Sequence, residues 1–140
     1  MSIPVFGREV PMTLAFTVSA VIQAPAEKIY AAWLDSKGHA DMTGAAARVG
    51  AEVGEDFEAW DGYIRGKNLI LEPGRRIVQA WRTAEFAPDE PDSKVEVTFT
   101  KASGGTSVTI RHSNLPAHGM QYKDGWVENY FVPMKKYFEG

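Results

Sequence analysis

Hydrophobic and polar residues alternate from Met12 to Gln23 in the run MTLAFTVSAVIQ. Leu14, Phe16, Val18, Ala20 and Ile22 fall on one face, with Thr13, Thr17, Ser19 and Gln23 mostly on the other. Period-two alternation of this length predicts a strand with one buried face. Ala24-Pro25 ends it, and Pro25 suits the first position of a helix, where its missing N–H costs nothing. The helix expected over Pro25–Leu34 carries Ile29, Trp33 and the neighbouring Tyr30 and Leu34 as an apolar stripe. Asp35, Ser36 and Gly38 break it, and a short helix is expected around Lys37–Met42.

Beyond Gly44 the pattern becomes a meander. Strands are expected over Phe57–Tyr63, Gly66–Leu71, Arg76–Thr83, Ser93–Lys101 and Thr106–Ser113. Turn-forming residues separate them: Asp61-Gly62, Pro73-Gly74, the Pro88–Ser93 loop, and Ser103-Gly104-Gly105. Gly104-Gly105 between the alternating runs VEVTFT and SVTIRH is a hairpin signal. It would place Val95, Val97 and Phe99 on the same face as Val108, Ile110 and His112. The last element is a helix from about Tyr122 to Phe138, with Trp126, Tyr130, Met134 and Phe138 at successive i+4 steps and Val127 and Phe131 widening the stripe. Pro133 removes the bond to the Asn129 carbonyl and crowds that turn, so a kink is expected there. The element order predicts an α+β fold, a six- or seven-stranded antiparallel sheet covered by the terminal helix.

Composition narrows the class of molecule. The 140 residues fit one domain, 1–140, and a hydrophobic fraction of 44% with 24% charged residues is that of an ordinary globular chain. There is no cysteine, which excludes disulfides, thiolate metal ligands and cysteine nucleophiles and accords with a reducing cytoplasm. The opening MSIPVFGREV lacks a continuous apolar stretch and is not expected to be a signal peptide. No run approaches the ~20 apolar residues of a membrane helix. A net charge of −3 without a basic block argues against nucleic acid as a partner.

Along nearly the whole chain, from about Thr13 to Gly140, the order of elements and several segments resemble the START-like helix-grip superfamily, also called SRPBCC. Within it the chain resembles the activator of heat-shock-protein-90 ATPase homologue-like family, in its C-terminal type of domain. The matching text is APAEKIYAAWLD at the first helix, VGAEVGEDFEAWDGYIRGKNLILEPGRRIVQAWR through the middle strands, GGTSVTIRHSNLP, and GWVENYFVPMKKYF at the end. The resemblance implies a helix-grip fold, a curved antiparallel sheet wrapped around a long C-terminal helix. It also implies one of two roles: a cavity between sheet and helix that holds a small apolar molecule, or a protein-interaction module related to chaperone ATPase activators.

Catalytic and metal chemistry find little support in the residues. His39, His112 and His118 are the only histidines, and no pair has a short ligand spacing, so no metal and no cofactor is expected. His112 shares a face with Val108 and Ile110. It is either a core histidine satisfied by a neighbour or a polar group in the wall of a cavity. Gln79 and Trp81 share a face with Ile77. Trp60 and Tyr63 have opposite parity, so only one of them faces the interior unless a bulge near Asp61-Gly62 intervenes. The first reading is a protein without demonstrable enzymatic activity that binds a small hydrophobic ligand. Its candidate lining is Phe16, Gln79, Trp81, Val97, Phe99, His112, Tyr130, Phe131 and Met134, with Gln79, His112 and the Tyr130 hydroxyl giving orientation. The second reading is a partner of a chaperone or another protein. A cyclase-like enzyme using His112 as acid or base ranks third, for want of a positioned second group.

Overall fold

The computed structural model describes residues 13–139; Met12, expected to open the first strand, the opening segment read as no signal peptide, and Gly140 lie outside the described residues. Strand β1 (Leu14–Ile22) buries Phe16 and Ile22 and leaves Thr17, Ser19 and Val21 outside, as its alternation requires. Helix α1 (Ala26–Trp33) follows, with Pro25 as its extended N-cap, one position earlier in the helix than expected. Helix α2 (Ser36–Thr43) starts where Asp35 caps the Gly38 N–H at 2.7 Å and stops at Gly44, whose φ of 85° closes the last turn. Gly38 lets α2 approach α1, since a β-carbon there would sit 2.9 Å from the Ala32 backbone.

The meander comprises β2 (Arg48–Val49), β3 (Asp56–Ala59), β4 (Ile64–Glu72), β5 (Arg76–Thr83), β6 (Ser93–Ala102) and β7 (Gly105–Leu115). All pairings are antiparallel and make one seven-stranded curved sheet in the order β1-β7-β6-β5-β4-β3-β2. The β6–β7 hairpin pairs Val95 with His112, Val97 with Ile110 and Phe99 with Val108, the shared face expected from the pattern. Two strands differ from expectation. The two-residue β2 is too short to produce a periodic signal. The strand expected over Phe57–Tyr63 ends at Ala59, because Trp60, Asp61 and Gly62 turn the chain with φ of 52°, 58° and 87°.

A 3-10 turn (Ala117–Met120) leads into the C-terminal helical run: α3 (Gln121–Trp126), a π-helical turn (Val127–Phe131) and α4 (Val132–Glu139). In the π turn the Val132 N–H reaches back five residues to the Val127 carbonyl. The widened turn lies immediately before Pro133, where the absent N–H and the ring would otherwise conflict with the regular ladder. It also rotates both Tyr130 and Phe131 inward. Tyr122, Trp126, Tyr130, Phe131 and Met134 are buried against the concave face of the sheet together with Ile29 and Trp33 of α1.

Candidate functional site

Aromatic side chains accumulate where the β3–β4 turn, the middle of β5 and the first turns of the C-terminal helix meet. Trp81 lies edge-on to Tyr122 at 4.9 Å and 5.8 Å from Trp126, and Trp126 lies 4.7 Å from Tyr130. These rings leave a cavity of about 210 Å³, lined by Trp60, Tyr63, Ile64, Trp81, Tyr122, Gly125, Trp126, Asn129 and Tyr130. Exposed Tyr63 and Asn129 mark its mouth. At Gly125 the nearest atom to an added β-carbon would be Asn129 Nδ2 at 3.8 Å, so this helical glycine leaves open space on the cavity side.

Two hydrogen-bonded chains support the wall from behind. His39, carried inward by α2, has Nδ1 2.8 Å from the Trp33 carbonyl and Nε2 2.8 Å from the Tyr130 hydroxyl. A carbonyl only accepts, so Nδ1 holds the proton and the Tyr130 hydroxyl donates to Nε2. At His112 the Trp126 indole N–H donates to Nδ1 at 3.0 Å, which leaves the proton on Nε2. That proton goes to Ser93 Oγ at 2.8 Å, and Ser93 Oγ donates to the Trp81 carbonyl at 2.9 Å. His112 thereby ties together Trp81 and Trp126, two neighbouring tryptophans of the cavity wall. Around the mouth, Tyr122 shares a 2.6 Å hydrogen bond with Thr83, and Tyr63 donates to Glu85.

Burial lowers the basicity of both interior histidines, that of His112 to about 3. Burial likewise raises the pKa of the Tyr130 and Tyr63 hydroxyls, for Tyr63 with a further contribution from Glu85. In the unfolded chain both imidazoles take up protons near pH 6.5, whereas burial disfavours the charged form of each in the fold. Stability is therefore expected to fall as pH drops below about 6.5, with His112 alone contributing roughly 2 kcal/mol between pH 7 and pH 5 and His39 acting in the same direction. Urea unfolding at the two pH values checks this, and equal midpoints would contradict it.

Trp60 is the unusual member of the wall. Its φ of 52° is a left-handed conformation that costs an L-residue roughly 1–2 kcal/mol. Its indole Nε1 is buried, with the Tyr130 hydroxyl oxygen as its neighbouring acceptor. Backbone strain of this kind is concentrated at ligand sites and switches.

Of the residues expected to line a cavity, Trp81 and Tyr130 stand in this wall. Phe16, Val97, Phe99, Phe131 and Met134 belong instead to the close-packed interior, where α1 and the C-terminal helix fill the space over β1, β6 and β7. Gln79 donates to Asn68 Oδ1 at 2.9 Å, and Asn68 donates to the Gly50 and Glu52 carbonyls, so this buried amide pair anchors the segment before β3. His112 is fully buried behind the wall, its partner Trp126 in front of it. Trp60, Tyr63, Ile64, Tyr122, Gly125, Trp126 and Asn129 were not among the expected lining. The Trp60–Gly62 turn explains the first two, since left-handed residues cancel the parity that set Trp60 against Tyr63. Among the described residues no group of three acidic, histidine or cysteine side chains could hold a metal, and no helix is long and apolar enough to cross a membrane.

The family model described as Activator of Hsp90 ATPase homolog 1-like protein matches residues 23–139, and the chain belongs to that family. Among curated proteins it is 25% identical over 134 residues to the mouse activator of 90 kDa heat shock protein ATPase homolog 2, covering 95% of this chain and 40% of the mouse protein. It is 28% identical over 116 residues to an uncharacterized protein of Schizosaccharomyces pombe, covering 82% of this chain and 34% of the other. The chain thus spans about a third to two fifths of the length of these relatives. Among solved structures, an HSP90 activator from Plasmodium falciparum superposes with a TM-score of 0.78 at 23% identity, covering 87% of this chain and 94% of that one. A protein from Mesorhizobium loti gives 0.76 at 21%, covering 90% and 97%. Likeness at these identities is likeness of fold.

Proposed function

We propose that residues 1–140 act as one domain that binds a small, predominantly apolar ring compound in the cavity between β5, the β3–β4 turn and the C-terminal helix. The cavity itself carries this reading: six aromatic side chains enclose about 210 Å³, and the helix places a glycine rather than a side chain at the opening. An apolar cavity of ~150 Å³ already accepts benzene, so one or two fused rings are the size that fits. A ligand of about ten heavy atoms binding with roughly 0.6 kcal/mol per atom would have a Kd in the tens of micromolar.

Among the described residues no positioned acid–base pair supports an enzymatic role. His112 has both ring nitrogens engaged inside the protein, and His39 is reached only through Tyr130.

Gly125→Phe tests the cavity directly. The substitution adds a ring on the open side of the helix and improves helix propensity by a few tenths of a kcal/mol, so the fold is expected to change by less than about 1 kcal/mol. Binding of 1-indanone, followed by calorimetry, is expected to weaken more than tenfold. Unchanged binding in Gly125→Phe would contradict the proposed location.

Family membership favours a second reading, contact with a chaperone through the outer surface, because relatives bear the name of chaperone ATPase activators. Saturable stimulation of such an ATPase by the purified chain, with no ring compound raising its melting temperature, would favour that reading over the first.

A further inference from the structure

We infer that the cavity takes its ring compound with an uncharged donor–acceptor edge, of the lactam or carboxamide type, turned to the mouth, and that the Asn129 carboxamide receives that edge. The inference rests on the ligand-binding reading above and specifies its chemistry. Asn129 lines the cavity and is exposed at its opening. Side chains of a helix lean toward its N-terminus, over the residue four positions earlier. Here that residue is Gly125, and Asn129 Nδ2 comes 3.8 Å from where a β-carbon of Gly125 would stand. The carboxamide therefore overhangs the space that the missing side chain leaves free.

The hydroxyl groups of the wall are engaged within the protein, as is the Trp126 indole. Tyr130 donates to His39, Tyr63 donates to Glu85, Tyr122 shares its hydrogen bond with Thr83, and the Trp126 N–H goes to His112. The Asn129 carboxamide takes part in none of these bonds. Two further observations set it apart from an ordinary surface asparagine. Glycine and asparagine are among the weaker helix formers, and the C-terminal helical run carries both on the side of the cavity, at 125 and 129. Asn129 also stands at the centre of the π-helical turn Val127–Phe131, and such turns are frequent at functional sites.

A carboxamide offers an oxygen acceptor and an N–H donor side by side. A lactam or amide edge answers both at once, a ketone answers only the donor, and a hydrocarbon answers neither. The lining contains no arginine, lysine, aspartate or glutamate, so a carboxylate or an ammonium would be desolvated there without a counter-charge.

Five probes of one bicyclic shape test this by calorimetry on the whole chain: indane, 1-indanone, oxindole, indane-1-carboxylate and 1-aminoindane. Wild-type protein is expected to bind oxindole threefold to tenfold more tightly than indane, with 1-indanone between them and both charged probes weaker than oxindole. Asn129→Ala removes the carboxamide without obstructing the mouth and puts a better helix former at an exposed position. In that variant oxindole affinity is expected to fall threefold to tenfold and indane affinity to stay within twofold. An equal change for oxindole and indane, or no change for either, would overturn the role of Asn129 and leave the ligand-binding reading intact. Indanone bound as tightly as oxindole by the wild type would overturn the paired donor–acceptor edge. Tightest binding of the carboxylate or the amine would overturn the selection for an uncharged edge. Failure of all five at millimolar concentration would overturn both the inference and the reading it rests on.

Discussion

His112→Ala is expected to destabilise the fold by about 3–5 kcal/mol, whether or not any ligand is present. The imidazole is fully buried, in edge-on contact with Trp81 at 4.5 Å, and its removal leaves a void between β5, β7 and α3. It also strands the Trp126 indole N–H and deprives Ser93 of its donor. Each orphaned buried group adds about 1–3 kcal/mol to the loss of packing. A histidine in an open, wet cavity would behave differently, since water could replace the ring at little cost. Equilibrium urea unfolding of the variant distinguishes the two situations. A loss below about 1 kcal/mol would mean that His112 borders open space, contrary to the packing described above.

Gly66→Ala is expected to cost about 3 kcal/mol or more, through backbone rather than side-chain conflict. A β-carbon at Gly66 would stand 1.9 Å from the Ala80 carbonyl oxygen and 2.6 Å from the Phe57 ring. The Phe57 ring can shift, but the carbonyl belongs to the neighbouring strand and moves only if β4 and β5 part. Gly66 pairs with Trp81, so separation there also displaces a cavity wall. Thermal unfolding of Gly66→Ala with and without 1-indanone reads both effects, and a variant as stable as the wild type would show that the strands can yield.

The sheet was legible because most of its strands are long and half-buried. β1, β6 and β7 repeat the period-two signal often enough to fix their faces and, through Gly104-Gly105, their register. β2 offers two residues and no period. Inward-facing residues were legible for the same reason, yet an inward face says nothing about whether the space before it is filled. Val97, Phe99 and Met134 face inward and are covered, while Trp81 and Tyr130 face inward next to a gap. Where the gap falls depends on the shapes of several side chains at once, on a helical glycine, and on the widened turn before Pro133. Trp60 was hidden for a local reason. Three successive left-handed residues break the alternation from which its direction would be read. The inward placement of His39 was not legible, because the eight-residue α2 carries little amphipathic pattern to show which face is inside.

Nuclear magnetic resonance of the four tryptophan indole N–H groups during titration with 1-indanone tests the central claim most directly. Trp60, Trp81 and Trp126 stand in the cavity wall, and Trp33 lies behind it, stacked on Trp126 at 6.1 Å. The account predicts a saturable change at Trp60, Trp81 and Trp126, which line the cavity, and the smallest change at Trp33. Indole signals that stay in place at saturating indanone would contradict it.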